Sequence, residues 1–112
     1  YHEWRHYRQP KYREGPSLHI EADGRLRAGE RWLGVLPHGQ WVSFELACMI
    51  GENALGGYSL IVRIPGESEP IVREDLPCSP EFQQLSWFGF VSENNGPGTF
   101  YLDNVKILPP PE

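Results

Sequence analysis

Long apolar runs are missing from this chain. Nowhere do more than a few apolar residues follow one another, which excludes a membrane-spanning helix and the apolar centre of a secretory leader. Cysteine is scarce: Cys48 and Cys78 are the only two, and they lack Cys-x-x-Cys spacing, so a cysteine-based zinc site is not expected. The pair fits one disulfide if their Cβ atoms face each other, and fits equally well two separate buried thiols acting as small apolar side chains. Positive charge is also in deficit. Ten Lys and Arg stand against fifteen Asp and Glu, a net −5 that argues against nucleic-acid binding by the surface as a whole. What basic charge there is concentrates at one end: residues 1–14 carry a local +2 through Arg5, Arg8, Lys11 and Arg13.

The 112 residues, 39% hydrophobic and 12% aromatic, suffice for one compact domain and are too few for two. Twelve Gly and eleven Pro are spread along the chain rather than clustered, which places turns between many short strands. The chain opens on Tyr1 rather than Met, as expected of a processed product or a piece of a longer protein.

Hydrophobic periodicity is two almost throughout, and no convincing helix is present. Ser17 to Glu21 turns Leu18 and Ile20 to one side, and Asp23-Gly24 is a strong hairpin cue before the return run Arg25 to Ala28. Arg31 to Leu36 is a further short run. The clearest strand is Trp41 to Ile50, with Val42, Phe44, Leu46, Cys48 and Ile50 on one face and Trp41, Ser43, Glu45, Ala47 and Met49 on the other. Tyr58 to Ile64 follows with Tyr58, Leu60, Val62 and Ile64 together, then Ile71 to Arg73, Gln84 to Ser92 and Thr99 to Leu108. About eight short strands with turn signals about every ten residues predict an all-β antiparallel β-sandwich or jelly roll over residues 17–108. Residues 1–16 read as an irregular basic-aromatic N-terminal arm, and 109–112 as a Pro-rich tail. In the last strand Phe100 and Leu102 are out of phase with Val105 and Ile107, which puts a β-bulge at Asp103-Asn104.

The ending Thr99-Phe100-Tyr101-Leu102-Asp103-Asn104-Val105-Lys106-Ile107 resembles the last strand of carbohydrate-associated β-sandwiches, both the concanavalin-A-like lectin/glucanase (laminin-G-like) group and jelly-roll carbohydrate-binding modules. Gly39-Gln40-Trp41-Val42-Ser43-Phe44-Glu45 is similar to a strand opening of the concanavalin-like group, and Leu85 to Phe90 fits the same pattern. The chain is shorter than complete domains of that group, which implies a compact variant or a C-terminal part. In such modules an aspartate of the terminal strand often helps to hold a structural calcium ion. The resemblance carries that role to Asp103, with Glu3, Glu14, Glu21 or Asp23 as companions.

Sugar binding needs flat aromatic faces flanked by polar groups. Trp41 falls on the outer face of its strand by alternation, and Trp87 belongs to one of two alternating sets near the end of the chain. Trp4 and Tyr7 lie beside Arg5 and Arg8 in the basic segment. These six are the candidate ligand-binding residues. A polysaccharide-lyase reading of His2 to Arg8 has the right residue types, a Tyr or His base with an Arg for the uronate, but no lyase motif. A retaining glycosidase needs two carboxylates about 5–5.5 Å apart, and the acidic run of the concanavalin-like enzymes is absent. Nucleophile elbows, phosphate loops and dinucleotide fingerprints are absent too. The expectation is a non-catalytic carbohydrate-binding module of a larger secreted or cell-surface protein (extracellular, or periplasmic). Its partner would be a polysaccharide or glycan, its metal at most structural Ca2+, and it would bind no nucleic acid and insert in no membrane. The alternative is an assembly module docking through its N-terminal arm onto a larger protein; a fragment of a polysaccharide-degrading enzyme ranks below both.

Overall fold

The computed structural model describes residues 1–54, 56–92 and 100–108. Among them are eight strands: β1 (His2–His6), β2 (Arg13–Ile20), β3 (Arg25–Ala28), β4 (Arg31–Val35), β5 (Ser43–Cys48), β6 (Gly57–Arg63), β7 (Ile71–Pro77) and β8 (Trp87–Phe90), with one 3-10 turn at Gly51–Asn53. They form a five-stranded sheet in the order β4-β3-β2-β1-β8 and a three-stranded sheet in the order β5-β6-β7. Every pairing is antiparallel. The fold is all-β and sandwich-like.

Period two explains the core. Leu18, Leu26, Ala28 and Leu33 from the larger sheet, with Leu36 just after it, meet Tyr58, Leu60, Val62 and Leu76 from the smaller one, and Val42, Phe44, Leu46 and Cys48 pack half-buried against them. The Asp23-Gly24 cue is a real turn. Gly24 has φ +91°, the Asp23 carboxylate accepts from the Arg25 N–H at 3.1 Å, and a Cβ on Gly24 would stand 2.5 Å from the Leu36 carbonyl oxygen. Only glycine fits there.

The N-terminal segment is the largest departure from the sequence reading. Residues 1–16 are not an irregular arm: His2–His6 is β1, a strand enclosed between β2 and β8, and β2 already begins at Arg13. Its apolar alternation was invisible because both faces of His2-Glu3-Trp4-Arg5-His6 carry polar or aromatic groups. The register of β1 on β2 jumps from Glu3↔Ser17 to Arg5↔Glu14, which leaves an extra residue on β2 at Gly15-Pro16. A bulge is where a strand tolerates proline, which has no N–H to give.

The far end of the chain is corrected as well. Residues 100–108 form no strand, and Phe100, Leu102, Val105 and Ile107 are exposed. β1, the neighbour expected for the last strand, already has β2 on one side and β8 on the other. Asn104 adopts a left-handed φ of +56°, and its N–H donates to the Asp103 carboxylate at 2.9 Å; with no strand here, the expected β-bulge is not formed. The fifth strand is shorter than expected and leaves Trp41 and Ile50 outside it; the eighth is confined to Trp87–Phe90. The Pro-rich tail, 109–112, lies outside the described residues, as do 93–99.

Candidate functional site on the outer face of the larger sheet

His2 lies opposite Leu18 and shares its inward direction; the next residue, Glu3, opposite Ser17 and Gly89, points to the other side. That outer side carries an unusual polar-aromatic group. Arg5 pairs across the ladder with Trp87. Its guanidinium carbon sits 4.4 Å from the Trp87 ring centroid and 4.5 Å from that of Tyr12, so two aromatic rings enclose one cation. The Arg5 Nε donates to Glu3 Oε2 at 2.6 Å, and the Ser17 hydroxyl donates to Glu3 Oε1 at 3.3 Å. Glu3 is thereby 6% exposed with both oxygens satisfied, which is how a carboxylate survives burial. The bond to Glu3 holds Arg5 more firmly protonated than usual, with a further side-chain contact from Tyr7. Glu14 is pushed up from the ordinary carboxylate range, first by loss of solvent and then by the nearby Glu3 charge. Trp87 lies flat across Gly89, where a Cβ would come within 2.4 Å of the indole.

Aromatic and charged groups extend this row across the sheet. Tyr7 meets Tyr12 edge to face at 6.3 Å, and Tyr1 stacks on His19 at 5.0 Å. Arg27 is paired with Glu21 at 2.9 Å, and Arg25 with Asp23 at 2.7 Å while lying over Trp32 at 4.6 Å. Two shallow depressions flank the sheet, one of about 310 Å3 bounded by Lys11, Tyr12, Arg13, Glu14 and Ser79, the other of about 370 Å3 bounded by Arg25, Trp32, Leu33, Gly34 and Val35. Both sit at the small end of the range for ligand pockets.

The six sequence candidates separate accordingly. Arg5 and Trp87 are in direct contact, and Tyr7, 53% exposed, adjoins them through Tyr12. Arg8 is at the rim, 3.8 Å from the Glu81 carboxylate that also binds Arg13. Trp4 belongs to the inner side. Its indole N–H donates to His2 Nε2 at 2.8 Å, and its ring lies 6.4 Å from that of Phe82, the most buried aromatic residue beside the bulge. Trp41 is exposed in the connection between β4 and β5, outside both sheets. Tyr12, Tyr1, His19 and Trp32 were not among the six candidates. The β1-β2 ladder with its bulge brings Tyr1, Tyr12 and His19 to this face, and the β3-β4 ladder brings Trp32.

Among the described residues no donor set gathers around Asp103. That side chain is exposed and engaged with its own neighbour's N–H, while Glu3, Glu21 and Asp23 are each held by an arginine. Among the described residues no three His, Cys, Asp or Glu side chains are grouped to hold a metal ion.

No family model, curated protein or solved structure matches this chain. The resemblance to concanavalin-like domains therefore stands at the level of architecture: all-β, antiparallel, two sheets.

Proposed function

We propose that this domain is a non-catalytic glycan-binding module of a secreted or cell-surface protein, and that it binds a polysaccharide chain across the outer face of its five-stranded sheet. The observation that carries this reading is the Tyr12–Arg5–Trp87 stack, with exposed Tyr7 at its side. Half-exposed aromatic rings offer apolar surface to the C–H groups of a pyranose, and the guanidinium has further N–H donors beyond the Nε given to Glu3 for sugar hydroxyls. Arg5, Arg25 and Arg27 each have a carboxylate partner, so the face is charge-compensated and suits a neutral glycan over a polyuronate.

Affinity electrophoresis against soluble neutral and acidic polysaccharides tests this. Retardation by a neutral polymer is expected. Tyr7→Ala or Trp87→Ala should weaken it about fivefold, the equivalent of one stacking contact of about 1 kcal/mol. Trp41→Ala should leave it unchanged. Absence of retardation by every polymer, or loss confined to Trp41→Ala, overturns the assignment of the face.

A further inference from the structure

In the smaller sheet β5 and β7 flank β6, and outer strands separated by a third stand about 9–10 Å apart, beyond the reach of a disulfide. At the Gly56-Gly57 end of β6 the two cysteines nevertheless converge. Cys48 ends β5 opposite Tyr58, with its thiol 3.6 Å from the Gly57 carbonyl oxygen. Cys78 has just left β7, and its N–H donates to the Gly56 carbonyl at 2.9 Å. Both side chains pack on the inner side against the core, near enough for each thiol to shift the other's pKa. Gly56 puts no side chain between them; a Cβ there would already stand 3.3 Å from Pro80 and 3.5 Å from the Cys78 carbonyl oxygen. Each cysteine is only half-buried, so a small reagent reaches the pair.

We propose that Cys48 and Cys78 are a redox couple that closes to an intramolecular disulfide with a small-molecule disulfide such as oxidised glutathione as the oxidant. Cys78 is the attacking thiol, because the Cys48 S–H is held by the Gly57 carbonyl oxygen at 3.6 Å. The contact with Cys48 lowers its pKa, whereas the same contact, followed by burial, pushes the Cys48 thiol up. The Cys78 thiolate attacks one sulfur of oxidised glutathione, whose S–S bond breaks. The departing glutathione thiolate takes up the proton released by Cys78. Cys48 then loses its proton and attacks the Cys78 sulfur, the mixed disulfide breaks, and the second glutathione leaves as a thiol. Two protein thiols are oxidised by two electrons and one reagent molecule is reduced to two thiols. The new bond ties the end of β5 to the end of β7 and closes residues 49–77 into a loop.

The test is incubation of the whole chain with oxidised glutathione, followed by thiol titration in denaturant and peptide mapping by mass spectrometry. Expected is the loss of both titratable thiols, a mass lower by two hydrogen atoms, and one peptide linking Cys48 to Cys78. Cys48→Ser should instead accumulate a stable glutathione adduct on Cys78. Unchanged thiols, stable glutathione adducts on the unmutated chain, or disulfide-linked dimers each overturn the proposal.

Discussion

Lowering the pH should weaken the fold through one imidazole, His2. Its Nε2 accepts the Trp4 indole N–H at 2.8 Å, so that nitrogen carries no proton, and the hydrogen resides on Nδ1, bonded to the Gly89 carbonyl at 2.9 Å. The ring also stacks on Phe90, with centroids 4.4 Å apart. A second proton has nowhere to go without breaking the Trp4 bond. Burial is the leading cause that depresses the His2 pKa, against the opposing pull of the Gly89 carbonyl. The unfolded chain, by contrast, titrates near the ordinary histidine value of about 6.5. Between the two values the unfolded state holds the extra proton, so stability is fully present above the ordinary value and is lost as pH falls through the folded one. The slope from a single proton cannot exceed about 1.4 kcal/mol per pH unit, and the broken hydrogen bond alone accounts for about 1 kcal/mol. Urea unfolding from about pH 8 to about pH 5 measures the slope, and long-range proton–nitrogen correlation reads the tautomer. His2→Phe should flatten the dependence in the window just below the ordinary value, and Trp4→Phe should move the His2 titration back towards it. The reasoning fails if His2→Phe retains the full slope, or if the free proton is found on Nε2.

Three further outcomes follow from the geometry. Arg5→Leu strips Glu3 of its main partner while leaving it buried, and should cost about 2–4 kcal/mol in denaturant unfolding; Arg5→Leu combined with Glu3→Leu should recover much of that loss. Gly15→Ala drives a methyl to within 2.8 Å of the Phe82 ring, and a loss of about 1–3 kcal/mol in thermal unfolding is expected, relieved in part by Phe82→Leu. Asp103→Ala should change stability by less than about 0.5 kcal/mol with or without added calcium, since its side chain is exposed and bonds the adjacent Asn104 N–H.

What could be read without coordinates was the part written in alternation. Phe44, Leu46 and Cys48 face the core from β5, with Val42 just before it, and Tyr58, Leu60 and Val62 face it from β6, because a half-buried strand must put one face inward and these sequences leave no choice of which. The Asp23-Gly24 turn was equally explicit. Alternation also misled. Phe100 to Leu108 has the composition of a strand, but composition alone does not pair it with any strand edge, and its apolar side chains stay exposed. The inverse error concerned His2 to His6, whose residues look unlike a strand and form one because β2 and β8 hydrogen-bond to both of its edges.

The candidate site divides along the same line. Its residue types, Arg5, Tyr7 and Trp87 among them, stood out in the sequence as an excess of aromatic and basic groups. Their assembly was decided only by tertiary structure. Residues 5 and 87 become neighbours through the β1-β8 ladder, and the bulge at Gly15-Pro16 sets Glu14 opposite Arg5. The two cysteines tell the same story, left open between a pair and two lone thiols until the end of β6 brought them together. Local sequence determined the all-β class and the inward faces, because burial of alternate side chains is a nearest-neighbour property of the chain. The site, the central place of β1 and the unpaired last segment depend on which strand edges meet, and that is a competition among distant segments that no single stretch of sequence can settle.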